Sequence, residues 1–314
     1  LKGLTAMISR RLFLASSAAL AATSACTRAE PPKRFSITMD DFHLNTELRQ
    51  TIAERDAGIL GAMATHNHKG AGFVTGQWVD NDQGKALMQR WINGGHIIAN
   101  HTYSHEHANE ISASDYIADI EKNTQFLGGI EGASPKLFRY PFLDEGGKTD
   151  KRDEIRNYLN QNDYRFAPVT LDTADWYIDG RLRERLIADP QADLSGYRDY
   201  YLSSVLTRVD YFHAVGADIG VGSMPHTLLM HHNELNGLFL GDLLAHLQAN
   251  GWILIDADIA LANPFLQMQP ETLNMGRSLL SVIESDLASV EKMPKRVRPF
   301  ENDFGKSAMD KLGL

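Results

Sequence analysis

The chain contains a single cysteine, Cys26, so no disulfide bond can form within it. Positive charge is also scarce, because 31 Lys and Arg residues face 40 Asp and Glu residues, for a formal net charge of -9 at pH 7. An acidic surface of this kind disfavours nucleic acid and anionic membranes as partners. Internal repeats are absent, and 43% hydrophobic residues in 314 indicate an ordinary globular protein with one large domain or two small ones.

Long hydrophobic runs are lacking as well, which bears on the N-terminus. The apolar stretch from Leu12 to Ala25 is too short to span a membrane comfortably, and it follows the pair Arg10-Arg11. Residues 1–26 are therefore predicted to be a twin-arginine-like export signal, to be left out of the fold.

The lone cysteine needs an explanation other than a disulfide. The residues Thr23 to Ala25 before Cys26 resemble a bacterial lipoprotein processing site, which would place a lipid on Cys26. Cleavage by an ordinary signal peptidase is the alternative. Residues 27–34 then form a linker, and we expect a periplasmic protein or a lipoprotein whose only membrane contact is its lipid.

After Lys33, short apolar runs alternate with longer helical patterns, which predicts repeated β-α units and a parallel sheet. Seven strands are predicted, and seven strands with intervening helices suit a distorted (β/α)7 barrel over residues 35–265. The strands are Phe35 to Met39, Gly72 to Thr75, His96 to Ala99, Leu137 to Phe138, Arg165 to Val169, Thr227 to Met230 and Trp252 to Ile255.

Helices are predicted between these strands, beyond them, and in an insertion at 177–224 that is expected to shape a substrate cleft. Residues 266–314 are predicted to hold one amphipathic helix that packs on the barrel, followed by a loosely ordered end. The predicted helices are Thr46 to Ala57, Asp82 to Asn93, Ser112 to Gly128, Lys151 to Asn162, Asp179 to Ala188, Tyr197 to Val215, Gly241 to Ala249 and Met275 to Met293.

Two short segments together supply the ligands of a metal site. Asp40 and Asp41 end the first predicted strand, where the period of two should send them to opposite sides, so that one can bind metal while the other does something else. His101 and His105 are four residues apart, so a helical turn would place both imidazoles on one face. Two His and one carboxylate leave a position for water, which is typical of a catalytic rather than a structural zinc site.

Five blocks in this order resemble the polysaccharide deacetylase family, carbohydrate esterases of the NodB-homology type, from about Phe35 to Pro264. The blocks are Thr38-Met39-Asp40-Asp41, His101-Thr102-Tyr103-Ser104-His105, Arg139-Tyr140-Pro141-Phe142, Asp172-Thr173-Ala174-Asp175-Trp176 and Leu228-Leu229-Met230-His231. Two blocks depart from the family pattern, since Phe42-His43 replaces Gly-Pro and Phe142-Leu143 replaces Tyr-Gly. The resemblance implies the barrel of this family.

The resemblance also implies a role for each block. Asp40 would be the general base, paired with and oriented by Arg139, and His231 would be the general acid, tuned by Asp175. His232, the next residue along, is the runner-up for the acid. The metal ligands would be Asp41, His101 and His105; the Phe142 N–H would bind the oxyanion, and Trp176 and Leu229 would line the pocket for the acetyl methyl group.

The implied reaction is metal-dependent removal of N-acetyl groups from a glycan that contains N-acetylglucosamine. An O-acetyl esterase and a metal-binding or glycan-binding lipoprotein without turnover are the alternatives. Zinc is the expected metal, although two His and one carboxylate also accept cobalt or nickel. A monomer is the expected state.

Overall fold

The strand β1, Arg34–Asp40, lies in the interior of the sheet, and every one of its residues after Arg34 is buried. Strands of a parallel sheet are covered on both faces, which explains why β1 carries few charged residues. The computed structural model describes residues 31–44, 47–289, 296–300 and 303–314. The predictions for the export signal and for Cys26 lie outside these residues.

All the strand pairs are parallel, in the order β5-β4-β3-β2-β1-β7-β6, and β8 pairs additionally with β1. Within the described part of the chain, β5 and β6 end this path without pairing with each other, so the barrel is open there. The predicted distorted (β/α)7 barrel is confirmed. The remaining strands are β2 Ala71–Val74, β3 Ile97–Asn100, β4 Ser134–Phe138, β5 Arg165–Phe166, β6 Leu171–Asp172, β7 His226–His231 and β8 Ile253–Leu254.

Helices surround this sheet, and two 3-10 turns occur at Pro141–Leu143 and Pro264–Gln267. The helices are α1 Ile52–Thr65, α2 Gly76–Val79, α3 Asp82–Asn93, α4 Ala113–Gly128, α5 Thr149–Gln161, α6 Asp175–Ala188, α7 Ser195–Asp218, α8 Glu234–Ala249, α9 Ala257–Leu261, α10 Leu279–Ser289 and α11 Lys306–Leu312. No helix in the described ranges is long and apolar enough to cross a membrane.

Two helices begin where a capping side chain allows, rather than where the apolar pattern suggested. The helix predicted from Thr46 begins at Ile52, because the Thr51 hydroxyl accepts the Glu54 N–H while the Glu54 carboxylate accepts the Thr51 N–H. The helix predicted from Gly241 begins seven residues earlier, at Glu234, because Asn233 accepts the Asn236 N–H.

The C-terminal segment departs from its prediction at its end. Helix α10 packs on the sheet through Leu279 and Ile283, which share a buried cluster with Ala71 of β2 and Ala99 of β3. The last residues form α11, whose Met309 is also buried, and Arg181 of α6 donates to Asp310 at 2.7 Å. The predicted loose end is therefore wrong for residues 303–314, because one buried side chain and one ion pair hold this helix against α6.

Helices α1 and α8 approach closely at a glycine in each, Gly58 and Gly237. A Cβ on Gly58 would lie 2.3 Å from the Gly237 carbonyl oxygen, closer than any side chain tolerates. Gly58→Ala must therefore push the helices apart, and we expect it to cost about 1–3 kcal/mol. In Gly61→Ala, three residues further along α1, the new Cβ meets nothing within 4 Å.

Gly61→Ala should instead stabilise the protein, by about 0.5–1 kcal/mol, because Gly is a poor helix former. Thermal unfolding of both variants checks this pair of predictions. Equal melting temperatures for the two variants would contradict the close contact of α1 with α8.

Candidate active site and metal centre

The two adjacent aspartates point into the same cleft, although the sequence predicted opposite sides. Asp40 is the last residue of β1 and pairs in register with His231 of β7. Asp41 follows in the left-handed region, with φ of 58°. This backbone turn breaks the alternation of the strand, so that one oxygen of each carboxylate lies 3.6 Å from His101 Nε2.

His101 and His105 meet as predicted, but on a loop rather than on a helical turn. Thr102 and His105 have φ near 60°, which no α-helix accommodates. Side chains take the N–H groups that a helix would have bonded internally: the Asn100 amide accepts from Thr102, and the Asp119 carboxylate accepts from Tyr103 and Ser104. The imidazole rings end 5.1 Å apart.

These histidines form a ligand cluster with Asp41. His105 Nε2 lies 3.0 Å from Asp41 Oδ1, and one donor atom from each of Asp41, His101 and His105 lies within 4.8 Å of the others. Among the described residues no other group of three metal-ligating side chains is this close. Apart from its approach to His105 Nε2, Asp41 Oδ1 is buried without a hydrogen-bond partner in the described ranges, as expected of an oxygen reserved for a cation.

The protonation of His101 also suits a ligand. Its Nδ1 lies 3.0 Å from the Arg139 carbonyl oxygen and must donate to it, which leaves the Nε2 lone pair free on the side of Asp41. Burial lowers the pKa of His101 to about 4, so the ring is neutral at ordinary pH. Burial raises the pKa of Asp41, but the interaction with His105 outweighs it and holds that pKa well below its usual range. The residues therefore fit a divalent cation.

Asp40 is held by a buried arginine rather than by the ligand cluster. Arg139 Nη1 donates to Asp40 Oδ1 at 2.6 Å, and Arg139 Nε donates to the Ala167 carbonyl at 2.9 Å. The Arg139 side chain is fully buried, which fixes the direction of the pair. The second carboxylate oxygen of Asp40, Oδ2, remains on the side of His101.

His231 is paired with a buried carboxylate at the end of β7. Asp175 Oδ1 accepts from His231 Nδ1, and Asp175 Oδ2 accepts from the His231 backbone N–H, each at 2.8 Å. The amides of Asn233 and Asn236 donate to the same carboxylate. Burial lowers the pKa of His231, but the interaction with Asp175 outweighs burial and raises that pKa to about 10. The ring is a cation at neutral pH, and its Nε2 is the nitrogen left to face the cleft.

The other histidines near these segments make different contacts. His232, the runner-up for the acid, lies on the far side of β7, where it stacks on Phe42 and its Nε2 lies 3.4 Å from Asp56. The His96 ring accepts the Gly70 N–H at 3.0 Å, and His107 stacks on Phe142.

A cleft of about 320 Å³ opens over the cluster, and it contains the predicted pocket residues. Phe142 and Trp176 are 45% and 41% exposed at its rim, while Leu229 is buried in its wall beside His231. Phe142 has φ of 54°, and its backbone N–H makes no hydrogen bond with the described residues. It is therefore available as the predicted oxyanion donor.

Four further residues line this cleft that the sequence did not assign to it: Leu143, Asp172, Gly276 and Phe304. The Asp172 carboxylate accepts the Ala174 N–H at 2.7 Å, as the side chain of a turn residue does. Its position at the end of β6 could have marked it, because the site forms at the C-terminal ends of the strands. Gly276 and Phe304 come from the C-terminal segment, where no local pattern indicates a site.

The cluster predicts a specific loss in one variant. In His105→Ala, zinc affinity should fall by more than the roughly 10- to 100-fold that loss of an outer-shell partner costs, because a ligand is removed. His107→Ala is the matched control: its ring lies two residues away on Phe142, outside the cluster, and its zinc affinity should match the unmodified protein. Zinc titration measures both, and equal affinities in the two variants would contradict the ligand assignment.

A parallel barrel that carries two His and one carboxylate at its strand ends is the architecture expected of the resemblance, and comparison with known proteins agrees. Residues 27–167 match the polysaccharide deacetylase family, so the predicted resemblance is confirmed over this part of the chain. A peptidoglycan-N-acetylglucosamine deacetylase of Bacillus cereus is 26% identical over 118 residues, which is 38% of this chain and 40% of that protein. The chain spans about half, or less, of the length of the first such relatives.

Solved structures agree on the fold. The chitin deacetylase of Colletotrichum lindemuthianum superposes with a TM-score of 0.52 at 18% identity, over 77% of this chain and 91% of that one. A carbohydrate esterase family 4 pseudoenzyme from Bacillus anthracis also gives 0.52, at 16% identity, over 74% and 66% of the two chains. A shared barrel therefore does not settle whether a chain turns over substrate, and the site has to be argued from its residues.

Proposed function

We propose that this chain is a metal-dependent hydrolase that removes N-acetyl groups from a glycan containing N-acetylglucosamine. The observation that carries the proposal is the presence, in one cleft with the ligand cluster, of both an Arg-paired aspartate and an Asp-paired histidine. Binding alone needs only the ligands Asp41, His101 and His105. A base and an acid, each buried with its own partner, are what an acyl transfer from nitrogen to water requires.

A cation held by Asp41, His101 and His105 would act as a Lewis acid on the acetyl carbonyl and on the attacking water. Two His and one carboxylate suit zinc best, and cobalt or nickel would also fit.

Each of three residues of the chain then has one role in the reaction. Asp40 Oδ2 takes a proton from the water as the water oxygen bonds to the acetyl carbon, and Arg139 keeps the carboxylate aimed there. The Phe142 N–H donates to the carbonyl oxygen as negative charge develops on it. His231 Nε2 gives its proton to the nitrogen as the carbon–nitrogen bond breaks, and acetate and an amino sugar leave.

The pocket walls suit the acetyl group. Leu229 and Trp176 present apolar surface beside His231, where the methyl group would be shielded from water. A proton donor in the cleft favours an amide substrate, because an amine leaves as a neutral group only when it is protonated, whereas an alkoxide needs a proton donor less. His231 can be that donor, because its pKa, raised to about 10, keeps the ring protonated at neutral pH.

Export is part of the proposal, since peptidoglycan and chitin are the substrates named for the relatives. The signal-like residues 1–26 would direct the protein out of the cytoplasm, to the periplasm or, through a lipid on Cys26, to a membrane surface.

Acetate release tests the proposal. Zinc-loaded protein should release acetate from N-acetylated chito-oligomers and little from an O-acetylated xylan of similar length. Release from the xylan alone would replace the proposal with an O-acetyl esterase. Release from neither, with zinc bound, would favour a binding protein without turnover.

A further inference from the structure

A second cleft, of about 370 Å³, adjoins the proposed active site. The two clefts share Asp172, Gly276 and Phe304 as a common wall. We call the second one the arginine cleft, after Arg208, Arg277 and Arg298, which line it. It is built from α7 and the C-terminal segment and shares only Asp172 with the five blocks, so the proposed chemistry does not use it.

Polar groups cover one side of the arginine cleft because of the spacing along α10. Ser278 directly precedes α10 and its carbonyl accepts the Val282 N–H, and Ser281 and Ser285 follow at intervals of three and four residues, which places the three hydroxyls on one side. Leu280 and Val282 lie on the buried side. The hydroxyl face therefore points into the cleft while the apolar side holds α10 against the protein.

Arg208 is the unexplained residue of this cleft. It is only 6% exposed, and its Nε and Nη2 atoms are buried with no hydrogen-bond partner in the described ranges. Its guanidinium carbon lies 4.5 Å from the centre of the Phe300 ring, and the negative charge of Asp172 acts on it without an ion-pair contact. A buried cation without polar partners is costly, and an anion bound in the cleft would offset that cost.

The charges of the arginine cleft favour an anion with a single charge. Among the described residues, Arg208 and Arg277 form no ion pair, whereas Arg298 pairs with Glu284. Arg277 donates to the Ser285 hydroxyl at 3.1 Å. Asp172 is the acidic group shared with the active site, and it disfavours an anion with two charges. A planar carboxylate matches the fork of a guanidinium and meets these conditions.

We propose that the arginine cleft binds the carboxylate of an acidic sugar unit in the same glycan chain whose N-acetyl group reaches the neighbouring cleft. This inference rests on the proposed function. The preferred substrate is then a glycan that alternates N-acetylated sugars with carboxylate-bearing ones, rather than a neutral homopolymer. The carboxylate would come from a uronic acid or from a lactyl ether on the sugar.

The test compares kcat/KM for acetate release from three oligosaccharides of equal length. One is a neutral N-acetylglucosamine oligomer, one alternates N-acetylglucosamine with glucuronic acid, and one is a peptide-free strand with lactyl ethers. Arg208→Gln and Arg277→Gln remove charge from the cleft, and Arg185→Gln removes an equal charge from the exposed surface of α6. Arg277 is half-buried, so its variant stays informative if Arg208→Gln does not fold.

We expect the unmodified protein to prefer one acidic substrate, which identifies the source of the carboxylate. Each cleft variant should lower kcat/KM for that substrate about 10- to 100-fold, the effect of losing a hydrogen bond to a charged group. The neutral oligomer should be unaffected, and Arg185→Gln should change neither substrate. Equal rates on acidic and neutral oligomers, or equal losses on both in the cleft variants, would overturn the inference.

Calorimetric binding of the same oligosaccharides separates this inference from the proposed function. Tighter binding of the acidic oligomers that is lost in Arg277→Gln supports the carboxylate site, even if no acetate is released and the proposed function fails. Acidic oligomers that bind no more tightly than neutral ones overturn the carboxylate site, whatever the turnover.

Discussion

Asp40→Asn should lower kcat for deacetylation by about 10²- to 10⁴-fold, the contribution of a positioned general base, while the protein still binds one zinc ion. The amide cannot take the proton of the attacking water, yet it keeps an oxygen for Arg139 Nη1. The three ligands are unchanged, because Asp40 lies outside the cluster of Asp41, His101 and His105. Acetate release and bound zinc, measured on the same sample, check the prediction.

The adjacent residue supplies the matched control. Asp41→Asn should lose zinc and turnover together, because Asp41 Oδ1 lies 3.0 Å from His105 Nε2 and belongs to the cluster. In Asp40→Asn, by contrast, the buried Arg139 loses its countercharge, which could cost up to about 3–5 kcal/mol of stability. Both variants should therefore be assayed well below their melting temperatures. Full turnover in Asp40→Asn would rule out Asp40 as the base.

Asp175→Asn should produce the second largest loss, and the loss should depend on pH. Burial lowers the pKa of His231 and Asp175 raises it to about 10, so the acid form persists through neutral and mildly alkaline pH. An asparagine removes the charge and presents an N–H to His231 Nδ1. The pKa of His231 then falls, and the alkaline limb of kcat/KM should move to lower pH by more than one unit.

The same pair contributes to stability with a defined sign. Because the pKa of His231 is raised in the folded protein, its contribution is complete below the unfolded value near 6.5 and is lost as pH rises through about 10. The stability advantage over Asp175→Asn should shrink across that window.

Asp179→Asn is the control for this pair. Asp179 lies one turn further along α6 and accepts the Leu235 N–H rather than any group of His231. Its removal should leave the pH profile unmoved. An unshifted alkaline limb in Asp175→Asn would mean that His231 is not the acid, or that Asp175 does not tune it.

The sequence predicted the barrel because its signals are local. Buried parallel strands such as β1 read as apolar runs, and capped helices such as α3 have sharp ends. Strand β6 was missed because two residues, Leu171 and Asp172, carry too little pattern to distinguish a strand from a turn. The start of α1 was misplaced because a capping box at Thr51 outweighs the weak apolar period before it.

The site residues could be predicted wherever they belong to one of the five blocks that resemble the family. The side chains of Asp40, Arg139, Asp175 and His231 come together in the pairs that the resemblance implied. Their catalytic roles stay predictions. The strand and helix periods could not predict the left-handed backbone conformation of Asp41 and His105, which directs their side chains toward the ligand cluster. Such turns depend on distant acceptors such as Asp119, which no short-range pattern reveals.

The arginine cleft lay outside sequence reasoning for a different reason. Arg208 lies in the long helix α7, where the sequence predicts that a charged side chain is exposed to solvent. Only its packing against Phe300 and α10 shows that it is buried. Contacts between an insertion and a C-terminal segment are set by tertiary packing.

The most direct test of the central claim is a zinc titration of metal-free protein, with acetate release from an N-acetylated oligosaccharide measured at each step. If one cation held by Asp41, His101 and His105 serves the chemistry, activity should rise in proportion to bound zinc and reach its plateau at one ion per chain. Full activity without metal, or activity that does not follow zinc occupancy up to that point, would contradict it.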